Sequence, residues 1–227
     1  MEPLDNPAWH SLAGPQGRFA QGNELARRYD PEVSVFAAVP DEPTATAWEA
    51  LRDLVGPGAV ALLVRSELDA PPEWEVVFRG VGLQFRAPDG LGRDAVAGRF
   101  DTLGPDDAPE MLALVERTRP GPFTKRTVEL GTYVGERNAA GALVAMAGER
   151  MHPPGFTEIS AVCTEPEHQG RGLATALMHT IAAGIRARGE QPFLHTAGDN
   201  ARAIALYEHL GFVRRASLWV MGVRAPR

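Results

Sequence analysis

A glycine-containing junction at residues 164–178, TEPEHQGRGLATALM, joins a predicted strand to a predicted helix in this 227-residue chain. Gly170 and Gly172 lie in the turn, and the helix begins immediately after them. The start of a helix exposes about four unpaired backbone N–H groups and the positive end of the helix dipole. Glycines also let the phosphates of a ligand approach the backbone closely, so the junction predicts a pyrophosphate-binding turn.

Two common phosphate-binding loops do not match this junction. A Walker loop requires Gly-Lys-Ser/Thr, which the chain lacks. The dinucleotide pattern requires a third glycine where Thr175 stands, and no acidic residue follows the next strand at His195. An ordinary strand-to-helix turn remains the alternative on the glycines alone, because such turns are common.

The first part of the chain has fewer clear signals. A helix with Trp48, Leu51 and Val55 on one face follows a capping box of Thr46 and Glu49. Strands are predicted on both sides of it, at residues 34–39, 59–64 and 74–86. The turn-forming segment APDGLGRD then indicates a boundary, which divides the chain into an N-terminal α/β region, 1–94, and a second domain, 95–227.

In the second part of the chain, predicted helices and strands alternate more regularly. Hydrophobic spacing predicts helices at 106–118, at 172–188 and from Asp199 or Asn200 to Leu210. Predicted strands occupy residues 96–103, 131–135, 142–147, 157–164, 193–196 and 217–223. The helix at 172–188 carries its apolar residues on one stripe, formed by Leu173, Leu177, Ile181 and Ile185.

Composition excludes several classes of protein. The longest apolar runs have strand length, far below the roughly 18 residues of a membrane span. One cysteine and six scattered histidines predict neither a disulfide nor a metal site. The net charge of −6 without a basic run argues against nucleic-acid binding. The acidic, proline-containing start is unlike a secretory signal, so we expect a cytoplasmic protein.

Two motifs resemble the GNAT (GCN5-related) N-acetyltransferases. The family signature Gln/Arg-x-x-Gly-x-Gly/Ala is matched by Gln169, Gly172 and Ala174. The family helix Asn-x-x-Ala-x-x-x-Tyr-x-x-x-Gly-Phe is matched in NARAIALYEHLGF by Asn200, Ala203, Tyr207, Gly211 and Phe212. The resemblance covers about residues 95–227, and FTEISAVCT with PFLH is similar to the branch that includes glycine N-acyltransferase-like proteins.

This resemblance implies an α/β (α+β) GNAT fold. Its sheet is mixed and mostly antiparallel, with two central splayed strands, flanking helices and an additional N-terminal α/β region before it. Residues 1–94 would then be a degenerate acetyltransferase-like half, as in some relatives, although no internal repeat is visible.

The resemblance also implies acetyl-coenzyme A (acetyl-CoA) as co-substrate, without a metal. Its pantetheine arm would pair with the strand at Val162, Cys163 and Thr164, and a backbone N–H near Val162 would polarise the thioester carbonyl. Its pyrophosphate would lie on the turn, and Asn200 would add a contact or cap its helix. The residues of that turn are Gln169, Gly170, Arg171, Gly172, Leu173 and Ala174.

A protonated amine acceptor needs a base before it can attack. Glu158 is the candidate, because simple strand alternation puts it on the face of Val162 and Thr164. A glutamate facing solvent at a strand end is the alternative. His195 is the rival base, with a semi-buried structural histidine as its alternative.

Tyr207 matches the family tyrosine that protonates the departing thiolate, with core packing of the ring as the alternative. Cys163 could suggest a covalent acyl-enzyme, but its strand position and the direct transfer typical of the family favour a small buried residue.

These expectations define an N-acetyltransferase that joins an acetyl group to a primary amine of a small molecule, amino acid or peptide. Glycine N-acyltransferase-like transfer of larger acyl groups and a non-catalytic acyl-CoA-binding sensor are the alternatives. We expect acetyl-CoA and an amine as partners, with no nucleic acid and no membrane, and the net charge weakly favours a cationic acceptor. The sequence leaves a homodimer open.

Overall fold

The computed structural model describes residues 2–227. The helices are α1 (Pro7–Ala13), α2 (Ala45–Val55), α3 (Ala108–Thr118), α4 (Leu173–Ala187) and α5 (Ala201–His209). The strands of the first half are β1 (Ala20–Gly22), β2 (Arg27–Tyr29), β3 (Ala37–Ala38), β4 (Val60–Arg65) and β5 (Glu75–Arg86). Those of the second half are β6 (Asp101–Leu103), β7 (Tyr133–Arg137), β8 (Leu143–Glu149), β9 (Phe156–Thr164), β10 (Gln191–Ala197) and β11 (Val213–Arg224).

An eight-stranded sheet in the order β4-β11-β5-β10-β9-β8-β7-β6 forms the centre of the fold. All neighbours in it run antiparallel except β9 and β10, which are parallel. Strands β1, β2 and β3 form a separate small antiparallel sheet. This is the mixed, mostly antiparallel sheet with flanking helices that the resemblance to the GNAT family implies.

The parallel pair separates soon after it forms. Residues 191–193 of β10 pair with residues 156–158 of β9, and the ladder ends at Phe193 and Glu158. Beyond that point both strands continue, to Ala197 and Thr164, without pairing with each other. The sheet therefore opens at its middle, which confirms the predicted splay.

A β-bulge in β9 changes which side chains share a face. Ala161 has a positive φ of 53°, and between Ser160 and Cys163 the strand has one residue more than its partner β8. As a result Ile159 and Val162 both pack against α4. The side chain of Glu158, next to Ile159, points to the opposite face, so the prediction that it shares a face with Val162 and Thr164 is wrong.

The two faces of the sheet are covered differently. On the helix face, α4 and α5 pack on Leu83, Phe85 and Leu194. The predicted stripe of α4 is buried there, since Leu177, Ile181 and Ile185 are at most 1% exposed. On the N-terminal face, α1 packs on a cluster that includes Val64, Phe193 and Leu218.

The sheet crosses the predicted domain boundary. Strand β5, from the N-terminal region, lies between β10 and β11 and pairs with both. Residues on each side of position 94 thus share one sheet. Whether 1–94 descend from an acetyltransferase-like half stays a prediction.

Local details differ from the predicted boundaries. The side chain of Thr44, not Thr46, caps α2 by accepting a hydrogen bond from the N–H of Ala47. The predicted strand at 96–103 is reduced to β6. Among the described residues, no helix is both long and apolar enough to cross a membrane.

Candidate active site

A cavity of about 1220 Å³ occupies the gap between β9 and β10. On the helix face its walls include Leu173 and Tyr207, and on the N-terminal face they include Phe36, Val64 and Met151. The cavity therefore passes through the sheet, with an opening toward the start of α4. Two ligands could meet in it from opposite faces.

The glycine turn forms one end of this cavity. Gly170 and Gly172 have φ angles of 76° and 72°, in the left-handed region that side chains rarely adopt. A Cβ on either would meet no atom within 4 Å, so their conformation, rather than crowding, requires glycine. Gly172 is the N-cap of α4 and no side chain caps this helix, which leaves its first N–H groups available to an anion.

Side chains around the turn hold it in place. Gln169 donates from Nε2 to the carbonyl oxygen of Thr164 at 3.0 Å, which ties the turn to the end of β9. Glu165 pairs with Arg117, so this carboxylate is neutralised beside the turn. Among the described residues, the buried atoms Thr164 Oγ1 and His168 Nδ1 have no hydrogen-bond partner, and both residues line the cavity. Unpaired polar groups in a cavity wall can bind a polar ligand or water.

Tyr207 lies on α5 with its ring packed against Phe85 and Phe212. The residue is 8% exposed and lines the cavity. Burial and the negative charge of Glu158 raise the pKa of Tyr207 to about 12. The hydroxyl is therefore protonated at neutral pH and able to donate, so the packing and proton-donor interpretations are compatible.

Glu158 belongs to a buried ionic cluster on the N-terminal face. Its carboxylate accepts two hydrogen bonds from Arg150, at 2.9 and 2.6 Å, and one from Nδ1 of His195 at 2.6 Å. Burial alone would raise the pKa of Glu158, but Arg150 and His195 outweigh it and hold that pKa well below its usual range. Glu158 is fully buried and does not line the cavity, whereas His195 does.

His195 stands between Glu158 and the cavity. Its Nδ1 contacts Glu158, and its Nε2 lies 2.9 Å from the side-chain nitrogen of Gln84. This arrangement of carboxylate, imidazole and cavity resembles the orientation of a histidine base by an acid behind it. Sequence alternation did not reveal it, because the bulge at Ala161 reverses the order of the faces.

Most of the predicted cofactor residues line the cavity. They are Val162, Cys163, Thr164, Gln169, Gly170, Gly172, Leu173, Ala174 and Asn200. Arg171 is exposed beside the turn and does not line the cavity. Asn200 also caps α5, since its Oδ1 accepts from the N–H of Ala203 at 3.1 Å.

Cys163 is buried on the side of α3, in the cluster of Met111, Leu114 and Met146. Burial raises the pKa of its thiol to about 11, so the group is a neutral thiol at physiological pH. In the described residues no cluster of His, Cys, Asp and Glu could hold a metal ion.

Arg150 and Gln84 are site residues that the sequence reasoning missed. Gln84 stands between Leu83 and Phe85 in a predicted strand. A polar side chain between two apolar ones in a buried strand is a signal that the sequence does offer. Arg150 directly follows β8 and offers no comparable local signal. It meets its partner Glu158 only because strands β8 and β9 pair in the folded protein.

Known proteins are similar to this chain in fold and in sequence. Residues 133–220 match the family described as FR47-like protein. The chain is 40% identical to a GNAT-family acetyltransferase structure from Novosphingobium aromaticivorans, with a TM-score of 0.88 and coverage of 100% of both chains. The chain therefore belongs to the GNAT family of acetyltransferases, which confirms the family and fold predicted from its motifs.

Curated relatives are similar over shorter stretches. The chain is 34% identical over 166 residues to a mycothiol acetyltransferase from Saccharomonospora viridis, a match that covers 66% of the chain and 52% of that protein. It is 38% identical over 85 residues to the N-alpha-acetyltransferase RimI of Mycobacterium tuberculosis, again covering 52% of that protein. The chain thus spans about half the length of these curated relatives.

Proposed function

We propose that this protein transfers an acetyl group from acetyl-CoA directly to a primary amine. The observation that carries the proposal is the cavity through the splayed sheet, which has the uncapped start of α4 at one end and Tyr207 in its wall. Relatives that are named as acetyltransferases, at 40% and 34% identity, support it.

The residues present suit acetyl-CoA. The left-handed glycines and free N–H groups at the start of α4 suit its pyrophosphate. Thr164 and His168 offer buried polar atoms without partners. The edge of β9 beyond Glu158 has no partner strand toward β10, so its backbone groups are available to an extended ligand. When bound, acetyl-CoA supplies the activated acetyl group.

For proton removal we propose the pair of Glu158 and His195, with His195 as the member that faces the acceptor. The fully buried Glu158 would act through it, by orienting the ring and stabilising the imidazolium that forms. Glu158→Gln and His195→Gln should each lower turnover by ~10²–10⁴ at neutral pH. If turnover falls in Glu158→Gln but not in His195→Gln, Glu158 itself would be the direct base.

Tyr207 would protonate the departing thiolate. Its hydroxyl is protonated at neutral pH, and the residue lines the cavity. A phenol held in a buried, apolar wall is suited to donating at the moment when negative charge develops on sulfur.

The acceptor side of the cavity is mostly apolar, with Arg150 and His195 as its charged and polar members, and it lacks carboxylates. Its N-terminal face is lined by Phe36, Leu62, Val64, Met151 and Val220. Among the described residues that line the whole cavity, Asp199 is the single acidic side chain, against five arginines. We therefore propose an amine on an apolar body without further positive charge, in place of the cationic acceptor that the net charge favours.

A binding experiment with a matched control tests the cofactor site. Gly172→Ala should weaken acetyl-CoA binding roughly tenfold in calorimetry, because alanine in the left-handed conformation of this N-cap costs about 1–2 kcal/mol and its methyl group would lie where the phosphates approach the backbone. Gly189, after the other end of α4, has a similar φ of 79° and equally open surroundings. Gly189→Ala carries the same backbone strain and should bind normally; equal affinity in the two variants would refute the assignment of this turn.

A turnover experiment separates the candidate functions. A panel of apolar, acidic and cationic amines is incubated with acetyl-CoA and with longer acyl-CoAs while free thiol is measured. Release with acetyl-CoA and apolar amines supports the proposal. The same apolar wall could take a longer acyl chain, and preference for longer acyl-CoAs with glycine would instead support the glycine N-acyltransferase-like activity. Binding without thiol release from any pair would indicate a sensor.

A further inference from the structure

Gln84 is a buried glutamine whose side chain touches three groups from distant parts of the chain. It lies on β5 and is 0% exposed. Its Nε2 is 2.9 Å from the carbonyl oxygen of Leu4 and 2.9 Å from Nε2 of His195. Its Oε1 accepts from Nη1 of Arg215 at 2.9 Å. Both hydrogens of the amide nitrogen and one lone pair of its oxygen are thus engaged behind the cavity.

The chemistry of these partners sets the orientation of the amide. A guanidinium only donates, so Arg215 must face the amide oxygen. A peptide carbonyl only accepts, so Leu4 must face the amide nitrogen. The second hydrogen of that nitrogen is then directed at Nε2 of His195, which must offer a lone pair. Turning the amide by 180° would put two donors together at Arg215 and two acceptors together at Leu4.

The other side of the imidazole agrees with this assignment. The ionised Glu158 only accepts, and it lies 2.6 Å from Nδ1 of His195. The ring proton is therefore on Nδ1, and Nε2 is the acceptor. Two independent neighbours, an acceptor on one side and a donor on the other, select the same tautomer.

We propose that Gln84 is a positioning residue for His195: with the N-terminal segment, it fixes the ring proton on Nδ1 and holds the lone pair of Nε2 in the resting ring, a contact that must open before Nε2 can take a proton. The catalytic consequence rests on the proposed function, whereas the tautomer does not. When a proton arrives at Nε2, the contact with Gln84 opens and Glu158 stabilises the charged ring.

The N-terminal segment, residues 2–5, helps to hold Gln84 in this orientation. Arg215 is held by Glu2 and Asp5, at 2.7 and 2.6 Å, and Leu4 supplies the carbonyl that orients the amide. Residues 2–5 thus help determine where the proton lies on a histidine almost 200 positions later in the chain. The charged and titratable groups of this environment are Glu158, Arg150, Arg215, Glu2, Asp5, Arg86 and Tyr207.

Gln84→Glu is the informative substitution. It keeps the shape of the side chain but replaces the donor facing His195 with a carboxylate oxygen, which only accepts. His195 would then lie between two carboxylates and hold protons on both ring nitrogens at neutral pH. A ring that is already protonated cannot accept a proton from an amine.

A matched control exists in the same core. Gln16 is also a buried glutamine, whose Nε2 donates to the carbonyls of Leu130 and Arg150 and whose Oε1 accepts from Tyr29. Gln16→Glu buries the same new carboxylate without touching His195. At position 84 the new carboxylate meets Arg215, whereas the contacts of Gln16 include no cation, so the folding cost should be at least as large in Gln16→Glu. Effects on the His195 ring should be confined to position 84.

The experiment is long-range ¹H–¹⁵N NMR of the ¹⁵N-histidine-labelled full chain at pH 7, with the His195 signals assigned by their loss in His195→Gln. Wild type and Gln16→Glu should show a neutral ring with its proton on Nδ1, and Gln84→Glu should show two protonated nitrogens. A wild-type proton on Nε2, or an unchanged ring in folded Gln84→Glu, would overturn the proposal. The wild-type spectrum tests it even if Gln84→Glu fails to fold.

Turnover provides the second measurement. In Gln84→Glu, kcat should fall by ~10² at neutral pH while the Kd of acetyl-CoA stays within about twofold, because Gln84 does not line the cavity. An altered ring with unchanged kcat would show that His195 is not the base, which overturns the catalytic half of the proposal. If no amine is a substrate for the wild type, the proposed function fails, and the spectra still decide the tautomer.

Discussion

Arg150→Met should destabilise the protein strongly, because it leaves a buried carboxylate without its counter-ion. Arg150 contacts Glu158 through two hydrogen bonds, at 2.9 and 2.6 Å, and their side chains are only 12% and 0% exposed. Methionine retains much of the aliphatic length of arginine, so the lost charge dominates the effect. His195 would remain as the second partner of Glu158.

The expected loss in the free energy of unfolding is about 3–5 kcal/mol, the usual cost of breaking a buried ion pair. A domain of this size changes its Tm by about 2–4 °C per kcal/mol, so Tm should fall by on the order of 10 °C. Glu158→Gln added to Arg150→Met removes the stranded charge, and the double variant should regain part of the loss.

Arg126 provides a matched control, because it makes the same two-pronged contact with Glu129, at 2.7 and 2.8 Å, on the surface. Its side chain is 38% exposed, so water can replace the lost partner and Arg126→Met should change Tm little. Urea and thermal unfolding followed by circular dichroism compare the variants. Equal losses in Arg150→Met and Arg126→Met, or no recovery in the double variant, would refute the argument from burial.

Three further outcomes follow. Tyr207→Phe should lower kcat while acetyl-CoA affinity and Tm stay near wild type, measured by thiol release, calorimetry and thermal unfolding; normal turnover would remove the tyrosine from the mechanism. Cys163→Ala should turn over normally, and iodoacetamide should label native Cys163 slowly, because burial raises the pKa of the thiol to about 11. The folded-state pKa of Glu158 is depressed, so its ionised form stabilises the folded protein above about pH 4–5, and this contribution is lost as pH falls. The free energy of unfolding should therefore decrease more steeply with falling pH in wild type than in Glu158→Gln.

The second half of the chain was predictable because its signals are local. The stripe of α4, the glycines before it and the cap at Asn200 each depend on residues within a few positions, and the structure has all three. The cap of α2 was misplaced by two residues because Thr44 and Thr46 carry the same chemistry, and the backbone conformation selects between them.

The ionic cluster behind the cavity was not predictable in the same way. One extra residue at Ala161 reverses the faces of β9, and no local pattern in FTEISAVCT marks a bulge. Strand alternation therefore predicts that Glu158 faces the cavity, whereas in the structure it lies behind the cavity. Contacts of Gln84 with Leu4 and Arg215 join segments 80 and 131 positions apart, which only the folded topology brings together.

The buried ionic cluster lies at the point where the sheet opens. Two parallel strands that part in mid-sheet give up ladder hydrogen bonds, and this loss must be offset for the gap to persist. The ladder ends at Glu158 and Phe193, and the contact from His195 to Glu158 bridges the strands at that point. On the other side of β10, strand β5 pairs along residues 193–197, so the backbone of β10 stays held while it leaves β9. Because β5 comes from the N-terminal region, residues before position 94 support one wall of the cavity, and removing them would unpair the strand that carries His195.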